Sequence, residues 1–243
     1  MRLALISDIH ANLEALEAVF RDIEKEKVET VHCLGDVVGY GSDPSACVTL
    51  VDEHCDVKLM GNHEYAILEL TSTENYNSAA KQATDWTKEQ MSDFDLSTIS
   101  NFKMSVALDN KTRVVHASPQ EPEKWHYILS PTKAFDAFLS FKENICFFGH
   151  THLPQIYIEM DDSLPRGKAG HDFLPDPDNR YLINVGSVGQ PRDNDPRACY
   201  VIFDTEEYEI IYQRVEYDIK TTQQKMLQAN LPQMLAQRLS VGR

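Results

Sequence analysis

The chain has few basic residues, and this shortage excludes two classes of partner before any motif is considered. Lys and Arg together number 23 against 38 Asp and Glu, so the formal net charge of the 243 residues is −15. Non-specific binding to nucleic acid or to anionic membranes requires a basic surface, and we expect neither. A small anionic substrate is compatible with this charge only where the chain provides a local positive charge.

Cysteine pairs and long apolar runs are also missing. The chain contains five cysteines and no Cys-x-x-Cys pair, at Cys33, Cys47, Cys55, Cys146 and Cys199. Two of them, Cys33 and Cys146, lie inside apolar runs and are expected to pack as small hydrophobic residues. No apolar stretch approaches the length of a membrane span, and no secretory signal comes before the apolar run at residue 2. The sequence therefore predicts a soluble cytoplasmic protein with no membrane partner.

Apolar runs alternate with amphipathic segments in the first part of the chain. Residues 2–7, 30–36 and 57–62 are short apolar runs typical of buried strands, and residues 11–28 and 43–54 between them have helical spacing. Repeated strand–helix units of this kind predict a parallel sheet with right-handed crossovers.

After residue 63 the pattern changes. Residues 64–100 contain no good strand and predict a helical insertion packed on the sheet. Residues 103–119 predict two strands in a hairpin, and further strand-like runs follow on both sides of a polar excursion at 161–180. Residues 219–240 predict an amphipathic helix interrupted near Pro232. With no repeat or clear linker, we expect one α/β domain with a second, more antiparallel sheet.

Residue types that bind metals follow five of the predicted strands. The segments are SDIH (7–10), LGD (34–36), GNHE (61–64), VVHASP (114–119) and FFGHTH (147–152). In open α/β sheets, ligands bind in the crevice at the carboxyl ends of the strands. One Asp-x-His pair alone is more often a cap or a turn, but five such strand ends together favour a binding site.

The two histidines of GHTH require a separate interpretation. The apolar run before them stops at Gly149, which permits a close approach of the backbone or an unusual dihedral angle. If residues 149–152 are extended, His150 and His152 project to the same side of the chain. An isolated His-x-His is more often a surface turn, so the interpretation as a site depends on the other four strand ends.

The same motifs, taken in order, closely resemble those of the calcineurin-like metallophosphoesterases. The matching segments are Asp8-x-His10, GDVVGYG (35–41), GNHE (61–64), VHASP (115–119) and GHTH (149–152). Residues 184–204 and the closing helix resemble the small bacterial and archaeal phosphodiesterase branch. The resemblance implies an α/β fold that forms a four-layer α/β/β/α sandwich of two mixed β-sheets over residues 1–243, with the helical insertion at about 64–100.

The resemblance also implies a site for two divalent cations. The first would be held by Asp8, His10, Asp36 and His152, and the second by Asp36, Asn62, His116 and His150. Asp36 would then bridge the two ions. These ligand types suit Mn²⁺, Fe²⁺, Ni²⁺ or Zn²⁺, with Mn²⁺ favoured. Two carboxylates offset only half of the four positive charges, which leaves the positive pocket that a phosphate ester requires.

The implied function is hydrolysis of phosphate esters, phosphodiesters in the first place. A hydroxide that bridges the two metals would attack the phosphorus in line with the leaving group. By resemblance, His63 is the catalytic residue that stabilises the developing charge or protonates the leaving oxygen. The alternative for His63 is to orient Asn62 or Asp8 without touching the substrate.

Contacts to the substrate are expected from three further residues. Arg192 can reach a phosphate with its planar guanidinium, and the alternative is an ion pair with Asp193 or Asp195 in the same loop. Tyr40 and Asn12 border the first two motifs and are the other candidates.

Two other functions stay open at this point. GNHE is the form found in Ser/Thr protein phosphatases and in symmetrical dinucleotide tetraphosphatases, so a phosphomonoesterase or a dinucleotide polyphosphate hydrolase is an alternative. Those families carry a Gly-Asp-x-Val-Asp-Arg-Gly motif, whereas this chain has GDVVGYG without the arginine. From a different class, retromer-type relatives use the same fold as a protein-binding scaffold with a degraded site. Every ligand position is intact here, which favours an enzyme.

Overall fold

A computed structural model describes residues 1–74 and 76–243. Its strands are β1 Arg2–Ile6, β2 Thr30–Cys33, β3 Val57–Lys58, β4 Ser105–Ala107, β5 Thr112–Val115, β6 Ile145–Phe148, β7 Gln155–Ile158, β8 Arg166–Ala169, β9 Tyr181–Asn184, β10 Ala198–Asp204 and β11 Glu209–Val215. Its α-helices are α1 Leu13–Lys25, α2 Pro44–His54, α3 Asn62–Ile67, α4 Ser78–Gln90, α5 Asp93–Ser100, α6 Pro131–Phe138, α7 Ile219–Gln228 and α8 Gln233–Leu239.

The first sheet contains the strands of the predicted strand–helix repeats. Its order is β11-β10-β1-β2-β3, and β1, β2 and β3 run parallel, as predicted. The strands β10 and β11 extend the sheet beyond β1 in antiparallel pairing, so the sheet is mixed. Because β1 and β2 are parallel, the segments that follow them leave the sheet at the same edge.

The second sheet has the order β4-β5-β6-β9-β7-β8. Its strands β5, β6 and β9 are parallel, while β4, β7 and β8 pair antiparallel. The predicted hairpin within residues 103–119 is confirmed as β4 and β5. The strand β8 lies inside the excursion 161–180, where no strand was expected. All four of its residues are exposed, so no apolar alternation marks it in the sequence.

Both faces of each sheet are covered. In β1, Leu3 and Leu5 pack between the two sheets, whereas Ala4 and Ile6 belong to the cluster under α1 and α2. The second sheet alternates in the same way, and Phe148 of β6 packs on the outer side against α6. This alternation has a period of two, as extended strands require. The predicted four-layer α/β/β/α sandwich of two mixed sheets is confirmed.

The helical insertion is confirmed as α3, α4 and α5, and the C-terminal helices pack on it. Ala79 and Ala83 of α4 share one apolar cluster with Met226 of α7 and Leu239 of α8. The break between α7 and α8 falls beside Pro232, as predicted. Among the residues that the structure describes, no helix combines the length and the apolar character needed to cross a membrane. The cytoplasmic location stays a prediction.

Candidate metal centre

The ends of β1, β2, β5 and β6 bring the predicted ligands together. Three groups of side chains place potential ligand atoms within 4.8 Å of one another, namely Asp8 with His10 and His152, His10 with Asp36 and His63, and Asp36 with His116 and His150. All of these residues are buried. The groups share His10 and Asp36, so they form one continuous centre rather than separate sites.

Asp8, His10 and His152 form the first half of the centre. The Nε2 atom of His152 is 3.3 Å from Asp8 Oδ1, and the Nε2 atom of His10 is 3.9 Å from the same oxygen. The two Nε2 atoms are 3.1 Å apart. The backbone amide of His150 donates to both oxygens of Asp8, at 3.2 and 2.9 Å, and holds this carboxylate in place.

The tautomers of the two rings follow from their other nitrogen atoms. His10 Nδ1 lies 3.2 Å from the carbonyl oxygen of Val38, and His152 Nδ1 lies 2.6 Å from that of Gln190. A carbonyl oxygen only accepts, so each Nδ1 carries the proton and each Nε2 presents a lone pair. Burial keeps both rings neutral by lowering the pKa of His10 and of His152. Two lone pairs that face each other at 3.1 Å repel unless a cation lies near both.

Asp36 connects the first half of the centre to the second. Its Oδ2 atom is 3.8 Å from His10 Nε2 and 3.3 Å from His116 Nε2. Its other oxygen, Oδ1, accepts a 2.9 Å hydrogen bond from the backbone amide of His63. The backbone therefore holds Oδ1 of Asp36, and Oδ2 faces the Nε2 atoms of His10 and His116 on its two sides.

The second half of the centre contains buried atoms without partners. Asn62 Oδ1, His116 Nε2 and His150 Nε2 have no hydrogen-bond partner among the described residues. Buried polar atoms nearly always have one, and these three are all of metal-ligand type. Burial opposes a charge on His116, but Asp36, whose Oδ2 is 3.3 Å from His116 Nε2, and the charges of Asp8 and Glu64 raise its pKa to about 9, so this half of the centre favours a positive charge at that nitrogen. The residues present therefore fit a bound cation.

The backbone at the strand ends adopts a conformation that is uncommon outside glycine. The φ angles are 54° at Asp8, 50° at His10, 52° at Asp36, 62° at His150 and 60° at His152. Such left-handed angles cost free energy for residues with a side chain and concentrate at functional sites. They turn the chain sharply after each strand, which brings the side chains into the crevice.

The expectation that residues 149–152 are extended is therefore wrong. The amide of Thr151 bonds to the carbonyl oxygen of Gly149 at 2.7 Å, so the segment is a tight turn. His150 consequently lies with Asp36 and His152 lies with Asp8. Gly149 is required because a Cβ atom there would lie 2.0 Å from Ser7 Oγ.

The third predicted strand is also shorter than expected. It ends at Lys58, and Asn62 is the first residue of α3 rather than the end of a strand. The reason is Glu64, a buried residue for which the sequence predicted no role. Its carboxylate accepts hydrogen bonds from four backbone amides, those of Asp36 (2.9 Å), Val37 (2.7 Å), Val38 (3.1 Å) and Gly61 (2.8 Å).

Glu64 thus ties the loop after β2 to the start of α3, and it positions Asp36 relative to Asn62. Burial and the charge of Asp36 raise the pKa of Glu64, while the hydrogen bonds from Gly61 and Val38 oppose this change. The signal in the sequence was an acidic residue at the third position of a helix, where a carboxylate caps free amides. It was hidden because residues 57–62 were interpreted as a strand.

We expect Glu64→Gln to destabilise the fold. The new amide group would present N–H donors to backbone amides that are donors themselves, which costs about 2–4 kcal/mol in the free energy of unfolding. Urea denaturation of the chelator-treated protein measures this loss. The matched control is Glu24→Gln, at an exposed position of α1, and equal stability of the two variants would contradict the role of Glu64.

His63 lies against the centre, grouped with His10 and Asp36. Its ring centroid is 4.7 Å from that of His10 and 4.5 Å from that of Tyr40. Gly39 has a φ of 87°, and a Cβ atom there would lie 2.2 Å from His63 Nδ1. Burial lowers the pKa of His63, although Asp36 acts in the opposite direction.

The structure bears on one of the two interpretations of Arg192, while the substrate contact stays a prediction. Asp193 pairs with Arg214, and Asp195 pairs with Arg197 at 2.6 Å. Both carboxylates are thereby used, and the expected alternative, an ion pair with Arg192, is wrong. Arg192 lies next to the centre, since its backbone amide bonds to the carbonyl oxygen of His152 at 3.2 Å.

The other two candidate substrate contacts differ in their surroundings. The ring of Tyr40 is half-buried, and its centroid is 4.6 Å from that of His10. Asn12 is buried, and its side chain accepts from Ala15 N at 3.2 Å and donates to the carbonyl oxygen of Gly189 at 2.8 Å. These bonds cap α1 and hold the loop, so they do not support a substrate contact by Asn12, which stays a prediction.

Tyr127 borders the centre without having been predicted to do so. Its ring stacks on that of His150, with centroids 4.1 Å apart, and the residue is 49% exposed. Trp125 lies beside it, 5.9 Å from His116 between ring centroids. The surrounding segment lacks helical or strand periodicity, so the sequence carries no pattern that places the ring of Tyr127.

The chain belongs to the calcineurin-like phosphoesterase superfamily. The family's domain matches residues 1–208, which contain every predicted site residue. Members of this superfamily generally bind two divalent metals, in agreement with the ligand groups described above. Membership supports a hydrolase of phosphate esters.

Relatives from bacteria and archaea share almost the whole length of the chain. An uncharacterized protein of Methanocaldococcus jannaschii is 39% identical over 99% of this chain and 98% of its own length. The crystal structure of a metallophosphoesterase from Sphaerobacter thermophilus superposes on this chain with a TM-score of 0.86. The two sequences are 38% identical, and the match covers 100% of this chain and 99% of the other. A hypothetical protein of Pyrococcus horikoshii shares the fold at 16% identity and a TM-score of 0.79, covering 100% and 98% of the two chains.

Proposed function

We propose that the protein hydrolyses phosphodiesters at a centre of two divalent cations. The observation that carries this proposal is the set of buried, partnerless ligand atoms on Asn62, His116 and His150 beside Asp36. Membership of the superfamily makes a phosphate ester the substrate class. The choice of a diester follows from the resemblance to small phosphodiesterases. It also follows from GDVVGYG, because this segment lacks the arginine with which the protein phosphatases bind the phosphate.

The proposed ligands divide between the two halves of the centre. One cation would bind Asp8, His10, Asp36 and His152, and the other Asp36, Asn62, His116 and His150. Mn²⁺ is the favoured ion, with Fe²⁺, Ni²⁺ and Zn²⁺ as alternatives that suit the same donors. When bound, such a pair of ions supplies Lewis acidity and makes hydroxide available near neutral pH.

The residues of the chain itself bind and orient the ester. His63 N holds Asp36 Oδ1, so that the ligand carboxylate keeps one orientation. The neutral ring of His63 donates a hydrogen bond to the leaving oxygen as negative charge develops there. Arg192 provides positive charge at the edge of the centre. The carboxylates expected to neutralise it, Asp193 and Asp195, pair with other arginines.

An activity panel tests the proposal. We expect bis-p-nitrophenyl phosphate to be hydrolysed with a higher kcat/KM than p-nitrophenyl phosphate, a phosphoserine peptide or a dinucleoside tetraphosphate, each assayed with Mn²⁺, Fe²⁺, Ni²⁺ and Zn²⁺. Chelation should abolish turnover, and elemental analysis should give two metals per chain. Faster hydrolysis of a monoester would identify a phosphomonoesterase instead, and faster hydrolysis of the tetraphosphate would identify a dinucleotide polyphosphate hydrolase. Two bound metals without any turnover would favour a protein-binding scaffold.

Replacement of His63 should separate leaving-group assistance from simple orientation. We expect His63→Asn to keep both metals and to lower kcat by about 10²–10⁴-fold for esters with poor leaving groups. The loss should be smaller for p-nitrophenolate, which needs less stabilisation. His171→Asn, at an exposed position of the loop at 161–180, is the matched control. An equal loss for good and poor leaving groups would show that His63 only orients its neighbours.

A further inference from the structure

We propose that Thr222 of α7 and Asn12 together position the first half of the metal centre, so that its affinity for a cation depends on the C-terminal part of the chain. Both would be positioning residues, which act on the ligands through the loop at 187–190, between β9 and β10. The inference rests on the proposed function and adds to it what controls one of the two cation sites. The helix α7 lies beyond residues 1–208, which the family's domain matches.

The loop between β9 and β10 contacts two ligands of the first half. The hydroxyl of Ser187 and the amide of Gly189 both donate to the carbonyl oxygen of Asp8, at 2.8 and 3.0 Å. The Nδ1 atom of His152 donates to the carbonyl oxygen of Gln190 at 2.6 Å. A displacement of this loop therefore moves the backbone of Asp8 and the ring of His152 together.

Ligands of the second half are held by other segments. His116 Nδ1 lies 2.8 Å from the carbonyl oxygen of Leu34. The amide of Asp36 donates to Glu64 Oε2 at 2.9 Å. Because different parts of the chain hold the two halves, a change in the loop at 187–190 should act mainly on the first.

Asn12 fastens this loop to the beginning of α1. Its side chain is buried, and Nδ2 donates to the carbonyl oxygen of Gly189 at 2.8 Å, while Oδ1 accepts from the amide of Ala15 at 3.2 Å. A Cβ atom on Gly189 would lie 1.7 Å from the carbonyl oxygen of Ile9 and 3.1 Å from Asn12 Cβ. Because the two segments are in direct contact, the position of the Asn12 amide group determines the position of the loop.

Thr222 contacts the same amide group from α7. Thr222 is fully buried, and its Oγ1 atom lies 3.1 Å from Asn12 Oδ1 and 2.9 Å from Glu14 Oε2. Three residues later, Lys225 Nζ is 2.5 Å from the other carboxylate oxygen of Glu14 and 3.1 Å from Asp43 Oδ1. A hydroxyl group and an ion pair thus hold α7 against the beginning of α1.

The hydroxyl of Thr222 lies between two acceptor oxygens, and an apolar group of the same shape cannot replace it. In Thr222→Val, Asn12 Oδ1 and Glu14 Oε2 would face each other without a shared proton and would repel each other. The Asn12 side chain can relieve this repulsion by moving, which loosens its bond to Gly189. Loss of a group that orients metal ligands typically lowers metal affinity by about 10–100-fold. Thr222 acts through two intermediate groups, so we expect the lower value.

Titrations of the metal-free protein with Mn²⁺ test the inference, and EPR spectroscopy of the free ion gives the Kd of each site. We expect Thr222→Val to raise one Kd about tenfold and to leave the other within about twofold. Thr222→Ser should restore the unmodified value, because it keeps the hydroxyl. At saturating Mn²⁺, the kcat/KM of Thr222→Val for bis-p-nitrophenyl phosphate should return to that of the unmodified protein.

Combination with the two histidine variants assigns the affected site. In His150→Ala the tightly bound cation is expected in the first half, so the addition of Thr222→Val should raise its Kd about tenfold. In His152→Ala the tightly bound cation is expected in the second half, and its Kd should not change when Thr222→Val is added. The reverse pattern, or equal effects in both backgrounds, would overturn the inference.

Thr221→Val is the matched control. It makes the same change one residue earlier, where the hydroxyl donates to Asp218 Oδ2 at 2.8 Å at the beginning of α7. This variant disturbs α7 without removing a contact to Asn12, and both values of Kd should stay unchanged. A rise as large as that in Thr222→Val would show that any loosening of α7 has the same effect, and would overturn the role of the Thr222 hydroxyl.

Asn12→Ser tests the second link, including the case in which Thr222→Val does not fold. Serine caps a helix about as well as asparagine, but it lacks the amide group that donates to Gly189. This variant should raise the same Kd at least about tenfold, and unchanged values would overturn the inference. Two bound cations without hydrolysis in the unmodified protein would instead count against the proposed function, and the comparison of Kd values would then decide the inference alone.

Discussion

Asp36→Asn is expected to remove metal from both halves of the centre and to abolish hydrolysis. Asp36 Oδ2 lies between His10 Nε2 at 3.8 Å and His116 Nε2 at 3.3 Å, so one oxygen serves both sides. An amide nitrogen in its place cannot bind a cation and would face nitrogen ligands. Loss of several kcal/mol of charge stabilisation corresponds to roughly a thousandfold or larger fall in kcat/KM.

Elemental analysis and the bis-p-nitrophenyl phosphate assay measure this effect together. Asp8→Asn serves as the internal comparison, because Asp8 belongs only to the half with His10 and His152. It should lose mainly one metal, whereas Asp36→Asn should lose more. Asp162→Asn, at an exposed position of the loop at 161–180, is the surface control. Normal metal content and rate in Asp36→Asn would rule out Asp36 as the bridging ligand.

His150→Ala and His152→Ala should fail in different ways, although the two residues are neighbours in one motif. His152 lies with Asp8 and His10, and His150 lies with Asp36 and His116. Each variant should therefore keep one metal tightly bound and hold the other weakly. Both should lose most of their activity, at least about a hundredfold, because the proposed chemistry needs both ions.

A metal titration distinguishes the two variants. Excess Mn²⁺ should restore part of the rate in each, since water can replace a lost ligand at a cost in affinity. Thr151→Ala, which changes the residue between them, is the matched control for disturbance of the turn. Two tightly bound metals and near-normal rates in both histidine variants would show that these residues only shape the turn.

The sequence was sufficient to predict which residues follow β1, β2, β5 and β6, because strands are short apolar runs and their ends carry unusual residue types. It was misleading where local spacing was used to infer direction. His150 and His152 were expected on one side of an extended segment, but both have left-handed backbone angles, with φ of 62° and 60°. Such angles depend on close approaches such as that of Gly149 to Ser7, and no local pattern records them.

The role of Glu64 could not be predicted from the sequence, for a second reason. The interpretation of residues 57–62 as a strand hid the helix that begins at Asn62, and with it the capping role of the carboxylate. Three of the four amides that Glu64 accepts from are more than 25 residues away in the chain, at Asp36, Val37 and Val38, with separations of 28, 27 and 26. A hydrogen bond across that separation depends on how β2 and α3 are placed, which propensity and periodicity do not specify.

By itself, the sequence determined the sandwich of two sheets, the family and the residues that could bind metal, because each rests on local patterns and on motifs in a fixed order. Only the tertiary structure decided which of these residues contact one another. It placed the His150 amide on Asp8, 142 residues away, paired Asp193 and Asp195 with Arg214 and Arg197, and brought Leu239 of the last helix to a small cavity that His10 and Tyr40 also line. Contacts between distant segments depend on sheet order, strand register and the course of every loop, and these are settled by the packing of the whole chain.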